Sequence, residues 1–312
     1  MKNKRKNPLK VADLFCGMGG LGYGFVKAGF NVTGFDKNEK AGMTYVFNRI
    51  GNFIMADLID YNICGDFGII IGGPPCEPWS RLNVRRRREK HPLRACVKAF
   101  FREIRRLHPL IFVMENVLAI RSDQLFKRCI GQVEGDYDIC MQVIRYSDYG
   151  AATARRRLFV IGVHLSLGFS AQELFTAIRR ERPRTVREAI FDLRDRKWDP
   201  SIDHVWPAAR TIHKYRRYYE TGKYGWYILE WDRPAPSFGN IAKTYILHPD
   251  APTGKNVRPI SVREALRIMG FPDDFKFPNG IGMHTKYEMI ADAVSPVFSL
   301  KLARVIKSLL IQ

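Results

Sequence analysis

The sequence predicts an α/β protein with a mostly parallel sheet covered by helices on both faces, followed by a smaller irregular segment. Short apolar runs alternate with stretches of helical periodicity as far as residue 163. From residue 194 to 257 this alternation stops, and aromatic and basic residues mix with prolines. A chain of 312 residues is long enough for one large domain and a second, smaller one.

The predicted elements follow one another as strand, helix, strand. Apolar runs typical of buried strands occupy residues 11–15, 30–36, 53–55, 67–71, 110–114 and 158–163. Helical periodicity extends from the glycines after the first strand to Ala28, and covers residues 39–48, 95–107 and 297–310. A further helix begins after Ser261, which is predicted to form a capping box with Glu264.

The first predicted strand leads into a glycine-rich turn, residues 17–22, that has the pattern G-x-G-x-x-G. Small residues let the backbone approach a ligand, and the N-terminus of the following helix faces it. Asp36 ends the second strand 19 residues after Gly17, a distance that suits a carboxylate holding ribose hydroxyls. This indicates a nucleoside-containing cofactor. A nicotinamide dinucleotide and S-adenosylmethionine both fit, and Asp36 as a simple turn or cap residue is the alternative.

Cys76 follows an isoleucine run, two glycines and two prolines, residues 69–75. Proline fixes its own φ and restricts the preceding residue, so the cysteine is held in one direction. It also lies at the end of a strand, where open α/β sheets usually bind ligands. The pattern therefore predicts a nucleophile. The alternative is a tight turn with an incidental buried cysteine.

The formal net charge of +20 favours a polyanionic partner, with nucleic acid as the first candidate. Basic runs occur at residues 2–6, 85–88, 155–157 and 214–217. Each run alone is better explained as a solvated face, but the excess over the whole chain is not. The six cysteines show neither CxxC spacing nor clustering with histidine, so we expect reduced thiols and no metal site. Because we see no apolar run of membrane-spanning length and no signal-peptide pattern, we expect a cytoplasmic protein without a membrane partner.

In their order along the chain, these motifs resemble those of the cytosine-C5 DNA methyltransferases. The matching blocks are residues 13–20, 35–36, 73–80, 115–117, 149–162, 184–190 and 263–272. The resemblance implies a Rossmann-like domain that binds S-adenosylmethionine, through Phe15, Gly17, Gly19, Gly20, Asp36, Asp57, Pro74 and Asp292. It assigns the catalytic roles to Cys76, Glu115, Arg155 and Arg157, and it implies contacts to DNA from Ser80, Arg85, Arg86, Arg87 and Arg88.

The resemblance also implies a mechanism. Cysteine attacks as the thiolate, and addition of Cys76 to C6 of cytosine would make C5 nucleophilic. Protonated Glu115 would donate a hydrogen bond to N3 of the ring, and Arg155 or Arg157 would favour the thiolate. Because the target base lies inside the duplex, it would be flipped out into the pocket.

Three positions depart from the family pattern. Thr153 stands where the arginine motif usually has glutamine, and Asp292 stands where an amide usually contacts the cofactor. The stretch after Ser80 lacks the usual glycines and carries the arginines 85–88 instead.

The resemblance divides the chain into a catalytic and cofactor-binding domain, residues 1–190 and 261–312, and a target-recognition domain, residues 191–260. We expect a monomer that methylates one specific duplex DNA sequence in a restriction-modification system. It would be associated with the nucleoid through DNA, and the cognate endonuclease would act separately. The alternatives are a tRNA methyltransferase of the same fold, a catalytically dead DNA-binding protein and a nicotinamide oxidoreductase. The aromatic residues between 215 and 227 line a DNA groove or form part of the core.

Overall fold

A single sheet of seven strands organises the first half of the chain. The computed structural model describes residues 7, 9–79, 91–208, 212–223 and 225–311. The strands are β1 Lys10–Leu14, β2 Asn31–Asp36, β3 Asn52–Met55, β4 Ile69–Gly72, β5 Ile111–Asn116, β6 Tyr137–Arg145 and β7 Arg156–His164, in the order β3-β2-β1-β4-β5-β7-β6. The α/β prediction is therefore confirmed, as are all six predicted strands. β6 was not predicted, because its partly exposed residues do not alternate regularly between buried and exposed positions.

The strand order brings the predicted site residues to one edge of the sheet. β4 pairs in parallel with both β1 and β5, so that Leu14, Gly72 and Met114 lie side by side. The chain segments that leave these three strands therefore start from neighbouring positions. The order also reverses between β1 and β4, which is where open α/β sheets bind their ligands.

The helices agree with the predictions in the regions where helical periodicity was clear. They are α1 Gly20–Lys27, α2 Glu39–Phe47, α3 Arg94–Leu107, α4 Gln124–Gly131, α5 Ala171–Ala177, α6 Val186–Ile190, α7 Arg216–Glu220, α8 Val262–Met269, α9 Met283–Asp292 and α10 Pro296–Ile311. The predicted capping box is confirmed, with Ser261 and Glu264 each accepting the other's backbone N–H at the start of α8. Among the described residues, no helix is long and apolar enough to cross a membrane.

The chain divides into two compact units. The first comprises residues 1–144, 156–179 and 299–312, and contains α1–α5 and the sheet apart from the last residue of β6. Its core packs apolar side chains from the sheet against α3, with Ile70, Phe100 and Phe112 fully buried. The second comprises residues 145–155 and 180–298. It contains the whole of the predicted target-recognition segment, residues 191–260, whose role in recognition stays a prediction.

Buried arginines and their partners hold the irregular backbone of the second unit in place. Arg258 donates two hydrogen bonds of 2.8 Å to the buried carboxylate of Glu264. Arg263 is also buried and donates to the backbone carbonyls of Ile202 and Phe275, at 2.7 and 2.8 Å. Burial lowers the pKa of the neighbouring His248 to about 4, so this histidine is neutral at physiological pH. Irregular backbone is thus held by side-chain hydrogen bonds that a sheet would not need.

The aromatic residues of the second unit pack against one another. The ring of Trp226, which is buried, has the rings of Tyr215, Tyr218 and Tyr219 around it, with centroids 4.3 to 5.8 Å away. Tyr245 contacts the same ring from a distant part of the chain. Of the two interpretations of these residues, the structure favours core packing. Tyr224 lies outside the described residues.

Candidate active site

The glycine-rich turn after β1 has a strained backbone. Phe15 has a φ of 55°, in the left-handed region that costs a residue other than glycine about 1–2 kcal/mol. Gly19, which precedes α1, has a φ of 92°, and a Cβ atom there would lie 2.5 Å from Ile50 Cδ1. Only glycine fits this position. The turn thus directs the chain from the end of β1 into the N-terminus of α1, as the sequence pattern predicts.

Asp36, at the end of β2, holds this turn in place. Its Oδ2 accepts a hydrogen bond of 2.9 Å from the backbone N–H of Gly17, and its Oδ1 accepts one of the same length from Asn38. Burial raises the pKa of this carboxyl group. Asp36 therefore does act as a turn residue. Because an ionised carboxylate can accept about four hydrogen bonds, this role leaves room for contacts to ribose hydroxyls.

Asp57 follows β3 and is exposed at the same edge of the sheet. Its Oδ1 accepts a hydrogen bond from the backbone N–H of Ile59, and its Oδ2 lies 3.1 Å from the Nζ of Lys37. The hydrogen bond from Ile59, together with Lys37, lowers the pKa of Asp57. The carboxylate is charged at neutral pH and can accept a hydrogen bond from an amino group such as that of adenine.

Asp13 is a buried carboxyl group beneath the turn, to which sequence reasoning gave no separate role. Tyr45 Oη lies 3.4 Å from its Oδ2, and its Oδ1 has no hydrogen-bond partner within the described part of the chain. Burial raises the pKa of Asp13 to about 8, despite the hydrogen bond from Tyr45. The same burial, with Asp13 and Asp36 nearby, raises the pKa of the Cys16 thiol well above its usual range.

Cys76 lies in a turn that is anchored to the neighbouring strand. The turn follows β4 through Gly73, Pro74 and Pro75, and a short 3-10 helix, Glu77–Trp79, comes directly after the half-buried cysteine. The side-chain amide of Asn116, in the last residue of β5, donates a hydrogen bond of 2.9 Å to the carbonyl oxygen of Pro74. The turn is therefore fixed both by its prolines and by β5.

Glu115 forms a buried ion pair next to this turn. Its Oε1 lies 2.9 Å from the Nε of Arg157. Glu115 is opposite Phe159 in the antiparallel pairing of β5 with β7, so Arg157 is its diagonal neighbour on the same face. Its Oε2 would be 3.2 Å from a Cβ atom at Gly73, so glycine there lets the carboxylate approach the chain that leads to Cys76.

The remaining predicted residues belong to the second unit or fall outside the described part of the chain. Arg155 and Asp292 belong to the second unit. The guanidinium of Arg155 is buried and donates to the carbonyl oxygens of Phe238 and Ala291, and its backbone N–H donates to the hydroxyl of Thr153. Asp292 is the last residue of α9. Ser80 and the arginines 85–88 lie outside the described residues.

The sheet with its glycine-rich turn and two strand-end carboxylates, together with its likeness to a solved DNA modification methyltransferase, identifies the class as methyltransferases that use S-adenosylmethionine. The model of the family described as C-5 cytosine-specific DNA methylase matches residues 9–308, and the chain belongs to this family. It is a DNA cytosine-C5 methyltransferase, so the tRNA and nicotinamide alternatives are not supported. Among the described residues, no group of three histidine, cysteine or acidic side chains could hold a metal ion.

Known proteins resemble this chain over nearly its whole length. The Type II methyltransferase M.NgoPII of Neisseria gonorrhoeae is 30% identical, with 97% of each chain covered. The Type II methyltransferase M.FnuDI of Fusobacterium nucleatum is 29% identical over 97% of this chain and 95% of its own. A solved structure described as a prophage-encoded DNA modification methyltransferase of E. coli is 25% identical, with a TM-score of 0.72 over 97% of this chain and 100% of the other.

Asp13 should make the stability of the protein fall as pH rises. Its pKa is about 8 in the folded protein and roughly 4 in the unfolded chain, so between these values the folded state binds one more proton. Its contribution to stability is complete below the lower value and is lost as pH rises through the upper one, at up to about 1.4 kcal/mol per pH unit. Asp13→Asn should therefore flatten the decline in the free energy of unfolding.

Urea denaturation at several pH values between about 5 and 8 would measure this slope. Asp60→Asn, which changes an exposed side chain, is the control and should keep the wild-type slope. Equal slopes for wild type and Asp13→Asn would show that Asp13 is already ionised in the folded protein.

Proposed function

We propose that this enzyme methylates cytosine within one specific sequence of duplex DNA, as the modification partner of a separate restriction endonuclease, with Cys76 as its nucleophile. The observation that carries the proposal is the position of Cys76. It follows a proline-fixed turn at the end of β4, and the buried Glu115 of the neighbouring strand approaches that turn. The relatives' description as Type II methyltransferases supports the restriction-modification role. We take the enzyme to be a cytoplasmic monomer that associates with the nucleoid only by binding DNA.

The proposed chemistry uses Cys76 to activate the base. The thiolate forms a bond from its Sγ to C6 of the flipped cytosine, which moves electron density to C5. S-Adenosylmethionine, when bound, supplies the methyl group. Once C5 is methylated, loss of its proton to a base restores the C5–C6 double bond, and the bond to Sγ breaks so that Cys76 leaves as a thiolate.

Glu115 and Arg157 would hold the base during this reaction. We assign Glu115 to N3 of cytosine, where its protonated form donates a hydrogen bond that stabilises the ring as Cys76 adds. The charge-assisted contact from Arg157 fixes the orientation of that carboxylate and pairs its charge while it is buried. Arg155 would act from the second unit, where two backbone carbonyls fix its guanidinium.

The residues present fit S-adenosylmethionine. We assign its binding to Phe15, Gly17, Gly19, Gly20, Asp36, Asp57, Pro74 and Asp292. Among the described residues other than Gly17 and its two chain neighbours, no atom lies within 4 Å of the point where a Cβ atom of Gly17 would be, so the turn is open to a ligand there. The carboxylates of Asp36 and Asp57 supply acceptors for ribose hydroxyls and for the adenine amino group.

DNA would be recognised by residues 191–260 and held by basic residues. The predominance of arginine and lysine over acidic residues supports phosphate binding. We assign contacts with the phosphates to Ser80 and to the arginines 85–88, because these residues follow Cys76 closely in the sequence.

Cys76→Ala should abolish methyl transfer, to below a few per cent of the wild-type rate, while DNA binding is retained. The physical reason is that alanine cannot form the bond to C6. Transfer of tritiated methyl groups from S-adenosylmethionine to duplex DNA measures the rate. Cys64→Ala, which changes an exposed cysteine, is the matched control.

Duplex with 5-fluorocytosine at the target should trap the wild-type enzyme in a denaturant-stable complex, since the fluorine cannot leave as a proton does. An active Cys76→Ala variant, or no trapped complex, would disprove the covalent route.

S-Adenosylhomocysteine should raise the melting temperature of the enzyme, and NAD should not. A ligand that binds only the folded state stabilises it by about 2.7 kcal/mol at a hundredfold excess over Kd. Asp57→Ala should reduce the shift, whereas Asp60→Ala, in the same turn, should keep it. A full shift with Asp57→Ala would remove Asp57 from the cofactor site.

Exchange of residues 191–260 for the corresponding segment of a related enzyme with another target should move the methylated site without changing the chemistry. Bisulfite sequencing of plasmid from cells that express the chimera reads the new site. Unchanged specificity in an active chimera would locate recognition elsewhere in the chain.

A further inference from the structure

Asp123 connects two residues that lie far from it in the sequence. Its Oδ2 accepts hydrogen bonds from Trp79 Nε1, at 2.8 Å, and from Arg94 Nη1, at 2.6 Å. Its Oδ1 accepts a further bond of 2.9 Å from Arg94 Nη2. The paired contact with one guanidinium is the geometry that gives arginine–carboxylate pairs their strength and direction.

The same carboxylate caps α4. Oδ1 also accepts the backbone N–H groups of Leu125 and Phe126, at 2.8 and 3.3 Å. Burial disfavours the charged form, but the hydrogen bonds from Arg94 and Trp79 outweigh it and lower the pKa of Asp123. Asp123 is therefore ionised at neutral pH and has all its acceptor positions in use. The start of α4, the start of α3 and Trp79 are therefore fixed relative to one another.

Trp79 transmits this constraint to the nucleophile turn. It ends the short helix that begins directly after Cys76, and its backbone N–H donates a hydrogen bond of 3.0 Å to the carbonyl oxygen of Cys76. Its ring is 3% exposed, and the Arg94 guanidinium lies 5.7 Å from the ring centroid. With Asn116 holding Pro74 on the other side, Cys76 lies between two anchored residues.

We propose that Asp123 is a positioning residue for Cys76 that acts through Trp79, with Arg94 completing the network; this rests on the proposed role of Cys76 as nucleophile. Loss of the network would let the turn move, and a displacement of about 1 Å at a reacting group can cost about 100-fold in rate. Binding of the cofactor should not change, because Asp123 accepts its hydrogen bonds from Trp79, Arg94, Leu125 and Phe126, and none of these is assigned to the cofactor. The expected signature is a lower kcat with an unchanged KM for S-adenosylmethionine.

The variant Asp123→Ser tests the positioning of Cys76 independently of helix capping. Serine caps helices about as well as aspartate but cannot reach Arg94 and Trp79 as a carboxylate does. We expect kcat to fall about 10- to 100-fold, with KM for S-adenosylmethionine and the melting shift caused by S-adenosylhomocysteine both unchanged. The rate of covalent complex formation on 5-fluorocytosine duplex should fall by the same factor, because it reports the addition of Cys76.

Two further variants complete the test. Asp138→Ser removes another carboxylate that accepts a hydrogen bond from the first turn of a helix, at Ala171, and should keep the wild-type kcat. Trp79→Phe removes the hydrogen bond to Asp123 together with part of the indole ring, but it keeps a buried aromatic side chain and the backbone N–H bond to Cys76, so it should lower kcat in the same direction. Combined with Asp123→Ser, it should cause little further loss, because both changes break one link.

Either of two results would overturn the inference: kcat of Asp123→Ser or Trp79→Phe within about twofold of wild type, or a loss of activity that is matched by loss of cofactor binding. The failure of the inference and the failure of the proposed function are distinguishable. If Cys76→Ala is inactive and Asp123→Ser is fully active, only the positioning role is wrong. If Cys76→Ala is active, the proposed nucleophile itself is wrong.

Discussion

The pairing of β4 between β1 and β5 is the constraint on which the rest of the structure depends. The isoleucines of β4 are completely buried, as is typical of a central strand in a parallel sheet that is covered on both faces. Parallel pairing on both sides brings Leu14, Gly72 and Met114 level with one another. The glycine-rich turn, the Cys76 turn and Glu115 consequently leave the sheet at adjacent points. Residues as far apart in the sequence as Gly17 and Glu115, 98 positions, are thereby brought to one candidate site by the pairing of the strands.

Several carboxyl groups in this part of the structure are wholly or partly buried, and most of them are kept in place by specific partners. Glu115 has Arg157, Asp123 has Arg94 and Trp79, and Asp36 has two backbone N–H groups. Asp13 differs from these, because burial outweighs its hydrogen bond and keeps it protonated at neutral pH. Desolvation of a carboxylate is costly unless hydrogen bonds or a counter-charge offset it. The partners therefore fix the orientation of these carboxylates and stabilise their charge. A site that must align a nucleophile with a flipped base requires such fixed orientation.

The second unit is stabilised in a different way from the first. Where its described residues form no sheet, backbone carbonyls such as those of Ile202 and Phe275 lack a ladder partner, and the buried Arg263 donates hydrogen bonds to them. Arg258 and Glu264 form its central ion pair, and Trp226 is the centre of its aromatic core. Side-chain networks of this kind produce no periodic pattern in the sequence. The same composition, rich in aromatic and basic residues, was therefore equally compatible with a DNA groove and with a core until the structure was known.

The sequence by itself determined the features that depend on residues close together in the chain. The α/β alternation, the glycine-rich turn, the proline-fixed Cys76 and the capping box of Ser261 with Glu264 all follow from short-range backbone preferences. Only the tertiary structure decided that Arg157 rather than Arg155 pairs with Glu115, because that choice depends on the antiparallel register of β5 and β7. It alone joined Asp123 to Trp79, 44 residues away, and to Arg94, 29 residues away. Local patterns report the conformation of the backbone, whereas partners at such separations are chosen by how strands and helices pack.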